Sequence, residues 1–386
     1  MRAELAPGRS DAFSDGGTSM AGGDPTKEAR GLIDGGMNDE FASLSRGRMH
    51  FVTAGRGGGI VLLHGWPGLW FDYRHVLPRA ARIGRCIAPD FYGFGDSDAL
   101  TGDPVHAADE KSFARDILEL LDWVGSDDVV VVGHDIGSAV GPALARLAPQ
   151  RIRGLVLMNP THPHIGDKRY TPDAQREAWY QAFHLLPVAE QLIDGKRRCV
   201  ELYLTHFYEH WAGHNRIAPE ELEFVIDAYA RPGAFTSSIW WYRARAARRT
   251  QHETPTPIEI PTIALWGDRD PMRPLDHQEG FERAFPRSES RVLTGSGTSF
   301  PPSPQRQWSR RSRSFCNASL GLRSALLTSL PLRPRHTRAW PGQARGEPSR
   351  WFVPAPRMER SGRPPRATRA RDRGTSPPDG PPTPKG

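Results

Sequence analysis

An aspartate flanked by glycines at a fixed spacing is the residue of this sequence best suited to chemistry. Asp135 stands in Gly133-His134-Asp135-Ile136-Gly137, between the apolar run 129–132 and a small-residue stretch that begins at Ser138. A Gly-x-nucleophile-x-Gly segment between a strand and a helix forms a tight turn that lifts its central side chain above the sheet. A carboxylate there attacks a carbon that bears a leaving group, and water must then cleave the resulting ester. The motif predicts a nucleophile suited to epoxides or alkyl halides.

The segments around this motif alternate between strand and helix patterns. Apolar runs at 59–63, 85–90, 129–132, 154–158 and 261–266 predict buried strands, with a last strand near 291–293. Residues 111–125 and 138–147 have helical patterns. Such alternation predicts an α/β fold with a mostly parallel central sheet and right-handed crossovers. Residues 165–250 show aromatic and charged helical stretches without a clear strand, which predicts an inserted helical cap.

Three motifs together resemble the α/β-hydrolase family, in the branch that contains epoxide hydrolases and haloalkane dehalogenases. The resemblance covers about residues 40–297 and implies an α/β-hydrolase fold with a helical cap. It implies that Asp135 is the nucleophile and that Asp270 orients a catalytic histidine, with Asp268 as the weaker alternative. The motifs are His64-Gly65-Trp66-Pro67-Gly68, Gly133-His134-Asp135-Ile136-Gly137 and Trp266-Gly267-Asp268-Arg269-Asp270.

The resemblance also assigns the groups around the nucleophile. The backbone N–H groups of Trp66 and Ile136 would form an oxyanion hole, in which each donor is typically worth about 3–4 kcal/mol. His64 and Trp241 are expected to line the substrate pocket. Epoxide hydrolases are similar to one another in using two cap tyrosines to hold the epoxide oxygen. Here Trp240-Trp241-Tyr242-Arg243 and Trp179-Tyr180-Gln181 resemble the segments that carry them, so Tyr180 and Tyr242 are the expected donors.

The residue after the nucleophile separates the branches. Haloalkane dehalogenases typically have Trp there to bind halide, and haloacetate dehalogenases usually have Arg to hold a carboxylate. Ile136 can donate only its backbone N–H, which weakens the dehalogenase alternative without removing it. Because many epoxide hydrolases also have Trp at this position, Ile136 leaves the identity of the substrate open.

The histidine that the family places after the last strand is missing. The sequence reads Gly295-Ser296-Gly297-Thr298-Ser299-Phe300, where the family pattern resembles Gly-Ser-Gly-His-Phe. Gly297 to Phe300 can be encoded as GGC-ACT-TCC-TTC, which read one base out of frame gives His-Phe-Leu, so the genetic code permits a restored histidine. We interpret the segment after Gly297 as out-of-frame translation. The alternative for this segment is a real basic tail that binds nucleic acid or another acidic surface. A separate alternative for the function is a catalytically dead hydrolase fold that binds a ligand.

The net charge of the sequence also changes sign after Gly297. The whole chain has a net charge of +7, but residues 298–386 carry +14, so residues 1–297 carry −7. A tail rich in Arg, Pro and Ser without periodicity predicts disorder. The expected organisation is a disordered leader (1–36), a first core segment (37–163), a cap (164–252), a second core segment (253–297) and the tail (298–386). The natural start is expected near Met37.

Composition bounds the remaining expectations. Three scattered cysteines (Cys86, Cys199, Cys316) favour a reducing, cytoplasmic setting, and no apolar run is long enough to span a membrane.

His206, His210 and His214 recur every four residues, a spacing that zinc could use. Gly213 weakens that helix, and attack by an aspartate has no use for a metal, so no metal or organic cofactor is expected. The expected partner is a small-molecule epoxide or related apolar electrophile, with no specific nucleic acid, and the oligomeric state is open.

Overall fold

The computed structural model describes residues 36–213, 217–248 and 255–298. The predicted leader and the predicted tail lie outside the described residues, apart from Gly36 and Thr298. His214 and Cys316 also lie outside them.

An eight-stranded sheet forms the centre of the described structure. Its strand order is β1-β2-β4-β3-β5-β6-β7-β8, in which β1 and β2 pair antiparallel and β3 to β8 run parallel. The mostly parallel sheet predicted from the sequence is confirmed. The strands are β1 (Met37–Leu44), β2 (Gly47–Ala54), β3 (Gly59–Leu63), β4 (Arg85–Pro89), β5 (Val129–His134), β6 (Ile152–Met158), β7 (Thr262–Gly267) and β8 (Ser288–Leu293).

The central strands are buried along their whole length because elements cover both faces of the sheet. Every residue of β3, β5 and β7 is buried. The register aligns Gly59 with Val129 and Leu63 with Gly133, so β3 and β5 end side by side. The loops that carry the two glycine motifs therefore leave the sheet at the same edge.

Helices connect the strands and form one long insertion. The amphipathic helix α3 is capped by the side chain of Asp109, which accepts a hydrogen bond from the N–H of Ser112 at 2.6 Å. No helix among the described residues is long and apolar enough to cross a membrane. The α-helices are α1 (Leu77–Ala80), α2 (Pro104–Ala107), α3 (Glu110–Trp123), α4 (Ile136–Leu147), α5 (Pro172–Glu177), α6 (Trp179–Phe183), α7 (Pro187–Ile193), α8 (Arg197–His210), α9 (Pro219–Ala230), α10 (Ala234–Ser238), α11 (Trp240–Arg248) and α12 (Phe281–Ala284).

The segment between β6 and β7 is helical wherever it is regular. It begins with the 3₁₀ segment Pro163–Tyr170 and continues through α5 to α11. We call residues 163–248 the helical insertion. Aromatic side chains dominate its inner surface and pack on the loop after β3, which brings the insertion over the carboxyl edge of the sheet.

A buried histidine ties the antiparallel edge of the sheet to its parallel part. His50 Nδ1 hydrogen-bonds to Asp90 Oδ2 at 2.7 Å, and Nε2 hydrogen-bonds to Asp39 Oδ1 at 2.8 Å. Burial acts to lower the pKa of His50, but the hydrogen bonds and charges of the two carboxylates raise it to about 10. Asp90 also accepts the N–H of Trp70 at 2.8 Å, so the pair holds the loop after β3.

We expect His50→Gln to destabilise the fold by about 3–5 kcal/mol at neutral pH, because it leaves the Asp90 carboxylate buried without its cation. Since the pKa of His50 is raised from 6.5, its charge stabilises the fold fully below pH 6.5, and that contribution is lost as the pH rises through about 10. Urea unfolding of the two proteins, compared across this range, measures the difference.

The matched control is His106→Gln, which breaks an exposed pair between His106 and Asp103 with the same 2.7 Å separation. Because both side chains are exposed, water screens this pair and the substitution should change stability far less. Equal effects of the two substitutions would contradict a special role for the buried pair.

Candidate active site

The turn between β5 and α4 presents Asp135 at the carboxyl edge of the sheet. Asp135 has φ 48° and ψ −105°, one of two non-glycine residues with positive φ in the described structure. A non-glycine residue adopts this region only when its surroundings impose it. The strained turn predicted from the sequence is thus present, and it leaves the carboxylate half-buried above the sheet.

Glycines at three positions make this turn possible because backbone lies where a β-carbon would be. A β-carbon at Gly133 would overlap the carbonyl oxygen of Gly137, and one at Gly137 would overlap that of Leu63. A β-carbon at Gly65 would lie 2.5 Å from Cβ of Asp135. The loop after β3 therefore approaches the nucleophile more closely than any side-chain-bearing residue at position 65 would allow.

The backbone N–H of Trp66 lies within hydrogen-bonding reach of the Asp135 carboxylate. Burial raises the pKa of this carboxyl group above its ordinary range, while Arg273, Arg245 and the N–H of Trp66 act to lower it. The second predicted oxyanion-hole residue, Ile136, is the first residue of α4, so its N–H belongs to the unpaired donors of a helix start. Both predicted donors are thus found beside the turn.

Two tyrosines of the helical insertion face the nucleophile. The rings of Tyr180 and Tyr242 lie 5.6 Å apart and almost perpendicular, and the charge of Asp135 acts on both. Burial, with a contribution from Asp135, raises the pKa of Tyr180 to about 12 and that of Tyr242 well above its ordinary value. Both hydroxyls therefore stay protonated at neutral pH and can donate a proton or a hydrogen bond.

The hydroxyls differ in their partners. Tyr180 accepts a hydrogen bond from the side chain of Gln181 at 3.2 Å. The buried hydroxyl of Tyr242 has no well-formed hydrogen bond to any described residue, although it lies near the hydroxyl of Tyr180. A buried donor without a partner is costly, so this group suits a ligand atom.

Trp66 is the centre of the aromatic cluster that separates this region from solvent. Its ring stacks on Tyr180 at 5.4 Å and meets Tyr242 edge-on at 5.7 Å. His184 and Phe207 complete the cluster, at 4.6 and 5.2 Å from Trp66. The same residue thus supplies a backbone donor to the nucleophile and a flat apolar wall to the tyrosines.

Asp270 lies beyond the end of β7 and is surrounded by donors. Its Oδ1 accepts the backbone N–H groups of Met272 and Arg273 at 2.8 and 2.9 Å and the hydroxyl of Thr298, and its Oδ2 accepts the amide of Asn159. Burial raises the pKa of Asp270, and these donors together with the charge of Arg273 act against that rise. Position 298 thus lies in direct hydrogen-bonding contact with Asp270.

The loop that carries Thr298 is fixed from several sides. Asp268, the alternative to Asp270, accepts the N–H of Gly295 at 2.6 Å and does not contact Thr298. A β-bridge joins Ser296 to Gly213, and a β-carbon at Gly297 would overlap the carbonyl oxygen of Trp211. The position of Thr298 is therefore set by its neighbours on both sides of the site.

Two other histidines near this loop take part in hydrogen bonds within the fold. His134 Nε2 donates to the carbonyl oxygen of Thr298 at 2.7 Å, and burial lowers the pKa of His134 to about 4. His277 lies buried in the 3₁₀ segment Leu275–Gln278, where its carbonyl accepts from His162 at 2.6 Å. Neither is placed as the expected histidine would be.

Two residues predicted to line the substrate pocket contact other parts of the fold, and their role in the pocket stays a prediction. The ring of His64 is fully buried: Nδ1 donates to the carbonyl of Gly65 at 2.8 Å, and Nε2 accepts the N–H of Phe91 at 3.1 Å. With both nitrogens used, His64 shapes the loop rather than offering a polar atom to substrate. Trp241 stacks on Phe113 at 6.0 Å, where it packs the insertion against α3.

Sequence reasoning missed three side chains of the site. Asn159, with φ 52°, follows β6 directly and could have been noticed as a polar residue at the end of an apolar run. Arg273 has no signal in the sequence. Its backbone N–H donates to Asp270, and its charge acts to lower the pKa of Asp135. Asp72 lies against Gly68, where its carboxylate fills the space of a missing side chain, and burial raises its pKa to about 7.

The histidines of α8 do not form a metal site in the described residues. His206 and His210 stack at 5.6 Å, and His210 Nε2 hydrogen-bonds to Glu177 at 2.6 Å. No group of three or more potential metal ligands occurs within the described ranges.

Comparisons with known proteins give a consistent result. A family model described as "alpha/beta hydrolase fold" matches residues 59–191. The soluble epoxide hydrolase of Corynebacterium sp. (strain C12) is 31% identical over 239 residues, which cover 58% of this chain and 79% of that protein. Epoxide hydrolase 4 of Mus musculus is 28% identical over 60% of this chain, and the match spans 66% of its length, just under two thirds. The solved structure "Epoxide hydrolase CorEH without ligand" superimposes with a TM-score of 0.59 at 27% identity, covering 68% of this chain and 92% of that one.

We expect Gly137→Ala to destabilise the protein by about 3 kcal/mol or more, because the new methyl group would overlap the backbone of Leu63. The matched control is Gly141→Ala on the same helix, whose nearest neighbour would be a Val131 methyl at 3.3 Å and whose effect should stay within about 1 kcal/mol. Urea unfolding measures both, and equal stability of the two variants would show that the turn relaxes at no cost.

Proposed function

The chain belongs to the epoxide hydrolase-like branch of the α/β-hydrolase family, and we propose that its reaction is the opening of an epoxide by the carboxylate of Asp135. The observation that carries this proposal is the juxtaposition of a carboxylate on a strained turn with two protonated tyrosines. A serine esterase would need neither a carboxylate nucleophile nor the two tyrosines. An epoxide needs both, because its carbon must be attacked while its oxygen is held.

In the first step, a carboxylate oxygen of Asp135 forms a bond to an epoxide carbon while the bond between that carbon and the ring oxygen breaks. The developing alkoxide takes a proton from one of Tyr180 and Tyr242 while the other donates a hydrogen bond to it, and solvent later returns a proton to the tyrosinate. General-acid assistance of this kind typically contributes about 10²–10⁴-fold. The unpartnered hydroxyl of Tyr242 is the group best prepared for this role. The product is a hydroxyalkyl ester of Asp135.

In the second step, water attacks the carbonyl carbon of that ester. The tetrahedral oxyanion would be held by the backbone N–H groups of Trp66 and Ile136. Collapse of this intermediate releases a vicinal diol and restores the carboxylate. This step needs a base that removes a proton from the attacking water.

The contact between Thr298 and Asp270 supports the proposal that this base would act from position 298. Its hydroxyl donates to Asp270, the residue expected to orient a histidine. A threonine hydroxyl cannot accept the proton of water at neutral pH. We therefore propose that the chain with Thr298 forms the ester but does not hydrolyse it, and that a frameshift after Gly297 removed the base.

A second candidate function is a hydrolase fold that binds a ligand without turnover. Thr298 favours it, because a chain without a base has no use for a nucleophile. The dehalogenase alternative has less support, since Ile136 offers no side-chain donor to a halide. In the ligand-binding alternative Asp135 forms no bond to the ligand, whereas in the dehalogenase alternative it attacks a carbon in the same way and a halide leaves.

Incubation of the chain with a small aliphatic epoxide should give at most one equivalent of covalent adduct, with the mass of one epoxide added. Intact-protein mass spectrometry and peptide mapping to Asp135 measure it. Asp135→Asn should form no adduct, since an amide is a far weaker nucleophile, and a ligand-binding module would keep its ligand in that variant. Sustained diol production by the unmodified chain would contradict the proposal that the base is missing.

Thr298→His should convert stoichiometric adduct formation into catalytic turnover. The contact between position 298 and Asp270 offers the new imidazole an orienting carboxylate, and orientation together with general-base catalysis is commonly worth at least about 10²-fold. Diol release, measured by chromatography over many equivalents, is the readout.

Thr298→Gln is the matched control, with a side chain of similar reach that can hydrogen-bond but cannot act as a base. Combining Thr298→His with Asp270→Asn should again abolish turnover while leaving the adduct. If Thr298→His and Thr298→Gln behave alike, position 298 is not where the base acts.

A further inference from the structure

A buried histidine packs against both tyrosines of the helical insertion. His184 directly follows α6, and its side chain is fully buried. The centre of its ring lies 4.6 Å from that of Tyr242 and 5.5 Å from that of Tyr180. The ring also meets Trp66 edge-on at 4.6 Å, so it belongs to the aromatic cluster beside the nucleophile. An imidazole is thus in contact with both groups expected to act on the epoxide oxygen.

One nitrogen of this imidazole is hydrogen-bonded and the other is not. Nε2 and the hydroxyl of Tyr203 lie 2.9 Å apart. Nδ1 is buried and has no hydrogen-bond partner among the residues that the structure describes. Burial, together with the charge of Arg243, lowers the pKa of His184 to about 3, so the ring is neutral at neutral pH and carries one proton. Because a buried polar atom without a partner is costly, Nδ1 is suited to a bond that forms during the reaction.

The hydroxyl of Tyr203 indicates which nitrogen carries that proton. Burial raises the pKa of Tyr203 above its ordinary value, so the hydroxyl keeps its proton and can donate a hydrogen bond. The unprotonated nitrogen of an imidazole accepts such a bond, and the bond at one nitrogen fixes the proton on the other. With Nε2 as the acceptor, the proton lies on Nδ1. His184 therefore offers an N–H group to the aromatic cluster.

Proton transfer from a tyrosine to the epoxide oxygen leaves a negative charge that this cluster disfavours. Burial raises the pKa of Tyr242 well above its ordinary value, which means that its phenolate needs a hydrogen-bond donor. Tyr180 already accepts a bond from the amide of Gln181 at 3.2 Å. The hydroxyl of Tyr242 has no well-formed bond to a described residue, and the imidazole in contact with it offers an N–H. His184 can therefore serve Tyr242 as Gln181 serves Tyr180.

We propose that His184 is a positioning residue that donates a hydrogen bond from Nδ1 to the phenolate oxygen of Tyr242, and that Tyr242 is thereby the tyrosine that gives its proton. This inference rests on the proposed function, since it assigns a further residue to the same reaction. As the O–H bond of Tyr242 breaks, the proton passes to the alkoxide oxygen, and Tyr180 donates a hydrogen bond to that oxygen. His184 gives up no proton. Its hydrogen bond to Tyr242 strengthens as the charge develops, because hydrogen bonds to charged groups are shorter and stronger than neutral ones.

The experiment measures how fast the full chain forms its covalent adduct with propylene oxide and with the analogue that carries trifluoromethyl in place of methyl. The trifluoromethyl group withdraws electrons, so the alkoxide formed on ring opening is less basic and needs less help from an acid. We expect His184→Phe, which keeps an aromatic ring, to slow the reaction of propylene oxide about ten- to hundredfold, as the loss of a hydrogen bond to a charged group implies. The analogue should slow far less. Intact-protein mass spectrometry gives both rates.

The matched control is His162→Phe. His162 is also a buried histidine, with Nε2 bonded to the carbonyl of His277 at 2.6 Å and Nδ1 without a partner in the described part of the chain. Its ring packs on Phe281 and Trp266, at 5.4 and 6.4 Å. The substitution removes the same chemical group from a different place, so it should leave the ratio of the two rates unchanged.

Double variants identify the tyrosine that His184 serves. In a Tyr242→Phe chain, His184→Phe should have little further effect, because the phenolate that it stabilises cannot form. In a Tyr180→Phe chain, His184→Phe should keep its full effect on propylene oxide. A full effect beside Tyr242→Phe, or a loss of the effect beside Tyr180→Phe, would overturn the assignment.

Equal slowing of both epoxides by His184→Phe would also overturn the inference, since His184 would then serve only packing, while the proposed function would stand. If the unmodified chain forms no adduct with either epoxide, the proposed function fails. Whether His184 presents a donor to Tyr242 is then decided by nitrogen nuclear magnetic resonance of its imidazole in the folded chain. A proton on Nδ1 supports the donor, and a proton on Nε2 overturns it.

Discussion

The close approach of three stretches of backbone around Asp135 is the constraint on which the rest of the site depends. The carbonyl oxygens of Leu63 and Gly137 occupy the space that side chains at positions 137 and 133 would need. Because β3 and β5 are neighbours in register, their following loops meet at one point. The positive φ of Asp135 is the result of that crowding, and it aims a carboxylate where it can act on a ligand.

The electrostatics of the site follow from how little water reaches it. Aromatic rings around Trp66 exclude solvent, so burial favours the neutral form of every acid nearby. For the tyrosines this is useful, because a proton donor must keep its proton. For Asp135 burial is unfavourable, because a nucleophile must be ionised. The N–H of Trp66 and the charges of Arg273 and Arg245 act against the rise of its pKa. The same dry environment thus favours the neutral form of the tyrosines, and at Asp135 neighbouring charges and a backbone donor act against that preference.

The sequence was sufficient for the parallel part of the sheet because apolar runs of four to six residues between helical patterns have few other solutions. The antiparallel pair β1 and β2 was not predicted, since half of the residues of β1 are exposed and the strand carries little apolar signal. The roles expected of Asp135, Asp270, Tyr180 and Tyr242 came from motifs and stay predictions. The contacts of His64 and Trp241 could not be predicted, because motifs do not say which way a buried ring points. Asn159 and Arg273 have no local signal, as their importance arises only where separate strands end together.

The contact between Thr298 and Asp270 separates what the fold requires from what the reaction requires. The loop before Thr298 is fixed by backbone contacts to Gly213 and Trp211, which do not depend on the side chain at position 298. A threonine hydroxyl can therefore satisfy Asp270 and leave the architecture intact. The reaction is less tolerant, because its second half needs a proton acceptor and the hydroxyl already donates its proton to the carboxylate. The ester-forming half needs only groups that lie before residue 298, namely the strained aspartate, the loop of Trp66 and the tyrosines of the insertion. In the proposed reaction, the side chain at position 298 thus decides whether the site ends at an ester or returns to its starting state.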